Sequence, residues 1–223
     1  HMTNGNLLPI ITWADVSLVN EWGYKNATEP WPPDIIQTEM TGFQTGNFIS
    51  VCLAIMGNDN FKDAAKMPPE RLDLLKRAEW GVRRIHEMIW RCEKWQEKEN
   101  QAPIKLENIF RAFGYGDDNC TVIHYWDKSA GEYKASWPDI KVSQDKVKWI
   151  GLWKPAEKKL MMALFSYSKE PLETEISAAK SGGMLSILGP QGFNKCTDAE
   201  TGKDADPGKI SLAGWGVRII EFK

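Results

Sequence analysis

The sequence predicts an α+β fold, with a helical N-terminal half packed on a mainly antiparallel β-sheet formed by the C-terminal half. Three observations carry that reading. Apolar residues recur at helical spacing through Leu72, Leu75, Ala78, Val82, Ile85, Ile89 and Cys92. After residue 119 the apolar and aromatic residues alternate with polar ones, the period of a pleated strand. No flexible linker separates the halves, so 1–223 reads as a single domain with a helical subregion, 43–114, and a β-rich subregion, 119–223.

Each element has its own signal. Residues 1–41 read as loop-rich, with Trp31-Pro32-Pro33 forbidding a regular helix there. The apolar run Phe48–Met56, between Gly46-Asn47 and Gly57-Asn58, predicts a buried helix, with a buried strand as the alternative. Pro68-Pro69-Glu70 starts the long helix, because a proline in the first turn forgoes only an N–H that has no partner there. Trp80, Met88 and Trp95 add a second stripe, and the helix is expected to end near Lys98–Gln101, before Pro103. A shorter helix over Ile104–Phe113 stops at Gly114-Tyr115-Gly116.

Strands are expected over Thr121–Trp126, Glu132–Trp137, Val147–Trp153 and Leu160–Ser168. Lys154-Pro155-Ala156-Glu157 would close a hairpin between the last two. A short helix after Pro171 would bury Leu172, Ile176 and Ala179 and end before Gly182-Gly183. Met184–Leu188 and Trp215–Phe222 complete the strands, with a long polar loop, Gly189–Gly208, between them.

Composition narrows the function. A chain of 223 residues buries a substantial core. A net charge of -2 argues against specific nucleic-acid binding. No apolar run approaches the length of a transmembrane segment. His1-Met2 reads as a cloning scar ahead of Thr3, which leaves room for a removed leader or anchor. No phosphate-binding P-loop, dinucleotide fingerprint or serine nucleophile elbow is present. His86-Glu87 fails as a zinc motif because position 90 is Trp.

Three constellations remain. Eleven tryptophans is a high count, and Trp126, Trp137, Trp149 and Trp153 fall near strands and turns. Trp149 and Trp153, four apart on one strand, point to the same face. Such a face would suit a protein or carbohydrate partner, and the lysines at 141, 146, 148, 154, 158 and 159 would add affinity for anionic surfaces. Asp198, Glu200, Asp204 and Asp206, with Gly202 and Gly208 to permit turns, suggest a calcium loop, the only cofactor in view. Cys120 and Cys196 lie in polar contexts and could form a disulfide, which would place the chain on the secreted or cell-surface side. The leading expectation is a non-catalytic binding or assembly protein.

The alternative is a cysteine-nucleophile hydrolase built on Cys52 and His124, with Asp127, Asp139 or Asn119 orienting the imidazole. Leu8-Pro9, Trp13 and Gln44–Val51, with Glu170–Leu188 and Gly214–Ile220, resemble in pieces the papain-like cysteine peptidases. In that family a Gln precedes the nucleophilic Cys by six residues; here that position is Ser50, and Trp215 stands in the His place. The resemblance implies a catalytically dead scaffold used for binding.

Overall fold

The computed structural model of the chain describes residues 68–87, 101–132, 134, 136–179 and 195–222, and the backbone of two further strands. The chain divides into two compact units, 1–104 and 105–223, where the sequence reading has one domain with two subregions.

In the first unit, β1 (Val16–Val19) and β2 (Phe48–Val51) pair in parallel, Val16 opposite Phe48 and Val19 opposite Val51. The run at 48–51 is therefore the strand alternative, not the helix. A four-residue apolar stretch with Ile49 and Val51 suits an extended pair as well as a helix, and periodicity alone does not separate them. The partner strand, β1, lies in a segment that reads as loop.

Helix α1 (Pro69–Ile85) starts on Pro68, with Glu70 in its first turn and Arg83 and Arg84 in its last, charges that complement the helix dipole. Leu75, Ala78, Val82 and Ile85 are buried, as their spacing requires, and so is Trp80. Glu79 and Arg83 are buried together one turn apart, Arg83 Nη2 at 2.9 Å from Glu79 Oε1. The helix stops well short of the expected Lys98–Gln101. His86 lies 2.8 Å through Nδ1 from the Val82 carbonyl, and Glu87 turns into the left-handed region with φ 51. Met88 and Trp95 of the second stripe lie outside the described residues.

Helix α2 (Gln101–Phe113) begins three residues earlier than expected, since Pro103 sits in its first turn, where no N–H is missed. It buries Leu106 and Phe110 and ends at Gly114, φ 125, as the glycine signal predicts.

In the second unit, β3 (Thr121–His124), β5 (Val147–Lys154), β6 (Lys159–Ser166), β9 (Cys196–Asp198), β10 (Asp204–Ala205) and β12 (Val217–Phe222) form one antiparallel sheet in the order β10-β9-β12-β6-β5-β3. The hairpin at Pro155–Lys158 joins β5 to β6. Both central strands are buried almost throughout, which is why they read as near-continuous apolar runs. Cross-strand partners share a face, so Ile123, Trp149, Trp153, Leu160, Met162, Leu164, Ile220 and Phe222 form one packed layer. Gly151 lies within it. A Cβ there would meet Leu160 Cδ1 at 3.3 Å and Trp149 Cζ3 at 3.6 Å.

Two small antiparallel ladders flank the sheet. β4 (Asp139–Val142) pairs with β8 (Ile176–Ala179), and β7 (Leu172–Thr174) pairs with β11 (Ile210–Leu212). These replace the helix expected after Pro171, and with it the helix that the papain-like resemblance implies. Leu172 and Ile176 are four apart, an interval that serves one face of a helix and one face of a strand equally well. Alternating burial of Thr174 and Ile176 against exposed Glu173, Glu175 and Ser177 shows the strand period. The strand expected at Glu132–Trp137 is irregular chain at its described residues, closed by one turn in which the Trp137 N–H donates to the Lys134 carbonyl at 2.9 Å. Hairpin β9–β10 lies inside the expected polar loop, and Met184–Leu188 lies outside the described residues.

Candidate functional site

The four tryptophans do not present an exposed face. Trp149 and Trp153 do share a side of β5, but that side is the packed layer, and Trp153 is 1% exposed and Trp149 8%. Trp126 is 3% exposed, and Trp137 is half-buried against the same layer. Burying a Trp removes roughly 150–250 Å² from water, which is reason enough for these rings to be inside.

Calcium is not supported by the acidic loop. Asp198 spends both carboxylate oxygens on its own neighbours: Oδ2 accepts from Arg218 Nη2 at 2.8 Å and Nε at 3.0 Å, and Oδ1 accepts from Thr201 N and Oγ1, both at 3.0 Å. Burial pushes the Asp198 carboxyl up, but the Arg218 and Thr201 donors outweigh it and hold it below the usual carboxylate range. Asp206 accepts from Gly208 N at 2.9 Å, and Glu200 lies 3.5 Å from Lys105. Among the described residues no three His, Cys, Asp or Glu side chains converge on a cation position.

Cys120 and Cys196 are free thiols, and the strand register explains why. Cys196 stands opposite Phe222, Phe222 opposite Leu160, Leu160 opposite Trp153, and Trp153 opposite Thr121, the neighbour of Cys120. Four interstrand steps put them about 19 Å apart along the sheet, beyond the reach of a disulfide. Burial raises the pKa of both thiols, and Cys196 donates to the Ala205 carbonyl at 3.0 Å.

Where β3 gives out, the sheet opens a cleft. Tyr125 N–H still reaches the Trp149 carbonyl at 3.2 Å, and then the chain turns away. Asp127 holds that turn, accepting the His124 backbone N–H on Oδ2 at 2.6 Å and lying 3.3 Å through Oδ1 from His124 Nδ1. Of the three groups weighed for orienting His124, Asp127 is thus the one beside it. The His124 ring stacks on Trp126 at 4.4 Å, and Tyr125 meets Trp126 edge-on at 4.7 Å. Cys52 lies outside the described residues.

The opposite wall is β4 and the turn after it. Lys128 ties the two walls through Asp139 at 2.7 Å. Ser143 is fixed from behind, its Oγ accepting from Glu175 N at 2.8 Å and its N–H donating to the Glu175 carbonyl at 2.9 Å. The Gln144 carbonyl accepts from Val147 N at 2.9 Å and starts β5. The cleft is open to solvent on one side and holds about 500 Å³, and its lining includes His124, Tyr125, Lys141, Gln144, Lys148 and Trp149. Lys148 Nζ sits over the Tyr125 ring, 5.1 Å from its centroid.

Sequence reasoning had marked His124, Trp149, Lys141 and Lys148 without bringing them together. It missed Tyr125 and Gln144. The signal for them was the end of β3 at a turn-rich Asp127-Lys128-Ser129 segment, facing a strand, β4, that went unrecognised.

No protein-family profile matches this sequence, and no curated protein matches it. A solved structure from Bacteroides fragilis, described as a candidate alpha-galactosidase/melibiase, is similar with a TM-score of 0.42 and 11% sequence identity over 80% of this chain. The chain spans about a third of that protein's length, 35%.

Proposed function

We propose that this protein is a non-catalytic binding or assembly protein whose partner, protein or carbohydrate, occupies the cleft between the turn after β3, strand β4 and the start of β5. One observation carries the reading: aromatic, amide and lysine side chains from three segments line one cleft of about 500 Å³, a size in the range of small-ligand sites. Tyr125 and Trp149 supply its aromatic surface, in place of the four-tryptophan face expected from the residue pattern. The test is a glycan and peptide array probed with the chain and with Gln144→Trp, which sets an indole into the cleft from an exposed position. Ligands of the cleft are lost in the variant; hits retained unchanged place binding elsewhere and refute the reading.

A second reading has one observation in its favour. Asp127 beside His124 is the arrangement in which a carboxylate orients a general-base imidazole. On that reading the chain is a cysteine-nucleophile hydrolase, or its degenerate papain-like form, centred on Cys52 and His124. Selective labelling of Cys52 by iodoacetamide near pH 7, slowed by His124→Ala, supports it. Protection of Cys52 until denaturation removes it.

A further inference from the structure

We infer that the ligand of this cleft is an acidic oligosaccharide, whose carboxylate or sulfate group is taken by Lys148 and Lys141; the inference rests on the cleft being the binding site. The three lysines of the lining differ in what surrounds them. Lys128 is neutralised by Asp139 at 2.7 Å. Lys148 is held over the Tyr125 ring at 5.1 Å, and neither it nor Lys141 has a carboxylate within ion-pair distance among the described residues. An aromatic face positions a lysine head without cancelling its charge. Two lysines with uncancelled charge therefore line a cleft to which, among the described residues, Asp145 contributes the one carboxylate. Such an arrangement favours an anion.

The rest of the lining argues for a sugar rather than an acidic peptide. Gln144 and the Tyr125 phenol offer the amide and hydroxyl partners that sugar hydroxyls need, beside aromatic surface for the ring carbons. Among the described residues no arginine lines the cleft, whereas recognition of acidic or phosphorylated peptides uses the planar guanidinium.

The test is calorimetric titration of the full chain with four probes: oligogalacturonate, a chondroitin sulfate oligosaccharide, a neutral cello-oligosaccharide and poly-glutamate. The inference expects at least one acidic oligosaccharide to bind and the neutral one not to bind. Oligogalacturonate binding assigns a carboxylate, and chondroitin sulfate binding that is lost on desulfation assigns a sulfate. Lys148→Met then weakens binding at least tenfold, Lys148→Arg restores it to within a few-fold, and Lys195→Met, at an exposed lysine away from the lining, changes it less than twofold. Raising the salt weakens binding in the same direction as Lys148→Met.

Equal binding of the neutral oligosaccharide, insensitive to Lys148→Met but blocked by Gln144→Trp, overturns the acidic assignment and leaves the cleft standing. Tighter binding of poly-glutamate overturns it in favour of a protein partner. No binding of either acidic oligosaccharide overturns it outright, and array hits lost in Gln144→Trp then decide the cleft separately.

Discussion

Replacing Gly214 by alanine would drive a methyl group into the backbone of Lys169. A Cβ at this position lies 1.8 Å from the Lys169 carbonyl oxygen and 2.5 Å from its carbon, and both atoms are backbone. Relief requires a shift of more than 1 Å between the segment after β6 and the turn before β12, against an ordinary C···O contact of about 3.2 Å. Hydrogen bonds resist that shift: Trp215 N–H to the Ser168 carbonyl at 2.8 Å, Ser166 N–H to the Gly216 carbonyl at 3.0 Å, and Gly216 N–H to the Ala213 carbonyl at 2.8 Å. Overpacking costs about 1–3 kcal/mol, and one or two broken hydrogen bonds add about 1 kcal/mol each. The total is roughly 2–5 kcal/mol, a fall of about 10 °C in melting temperature for a chain of this size.

The assay is thermal unfolding by circular dichroism, with Gly202→Ala as the comparison. Gly202 has a positive φ, 70°, and nothing stands within 4 Å of its added Cβ. Its alanine therefore costs only the left-handed conformation, about 1–2 kcal/mol. A Gly214→Ala melt within 2 °C of the parent, or no lower than that of Gly202→Ala, would refute the steric argument.

Three further outcomes follow from the same structure. Tyr167→Phe should leave stability unchanged or raise it by up to about 1–2 kcal/mol in urea melts, because the buried Tyr167 hydroxyl has no hydrogen-bond partner among the described residues; a loss above 1 kcal/mol would mean that the hydroxyl is satisfied. Asp198 has a folded pKa below its unfolded one, so its contribution is complete above the unfolded pKa and is lost as the pH falls through the folded value. Asp198→Asn should accordingly lower stability at pH 7 by about 1–3 kcal/mol and flatten the acid limb of the stability profile below about pH 4; an unchanged acid limb contradicts the assignment. Mass spectrometry without reductant should find Cys120 and Cys196 unlinked, with Cys196 alkylated only on denaturation, since its thiol is buried and bonded to the Ala205 carbonyl.

Long, strongly patterned segments were legible in the sequence. Strands β5 and β6 and the C-terminal strand lie where their aromatic and β-branched runs put them, and α1 starts on its prolines and buries Leu75, Ala78, Val82 and Ile85 of its 3–4 stripe, of which Ile89 and Cys92 lie outside the described residues. The short elements were not legible. Leu172 and Ile176 satisfy helical and extended spacing alike, and only the distant partners Ile210–Leu212 and Asp139–Val142 decide for strands. The end of α1 depends on a side-chain contact, His86 to the Val82 carbonyl, and a left-handed Glu87 that no Gly or Pro announces. The site was half legible. His124, Asp127, Trp149 and the lysines carried chemistry in their residue types, but their convergence depends on β4, whose pairing with β8 spans a long stretch of sequence. The tryptophans misled for a related reason: the same ring serves a core and a binding face, and burial separates the two.

Hydrogen–deuterium exchange of the chain with and without oligogalacturonate tests the location of the binding site most directly. Protection confined to 124–128 and 140–149, and absent in Gln144→Trp, is the predicted result. Protection that falls elsewhere in the chain, or persists undiminished in Gln144→Trp, would contradict the cleft as the binding site.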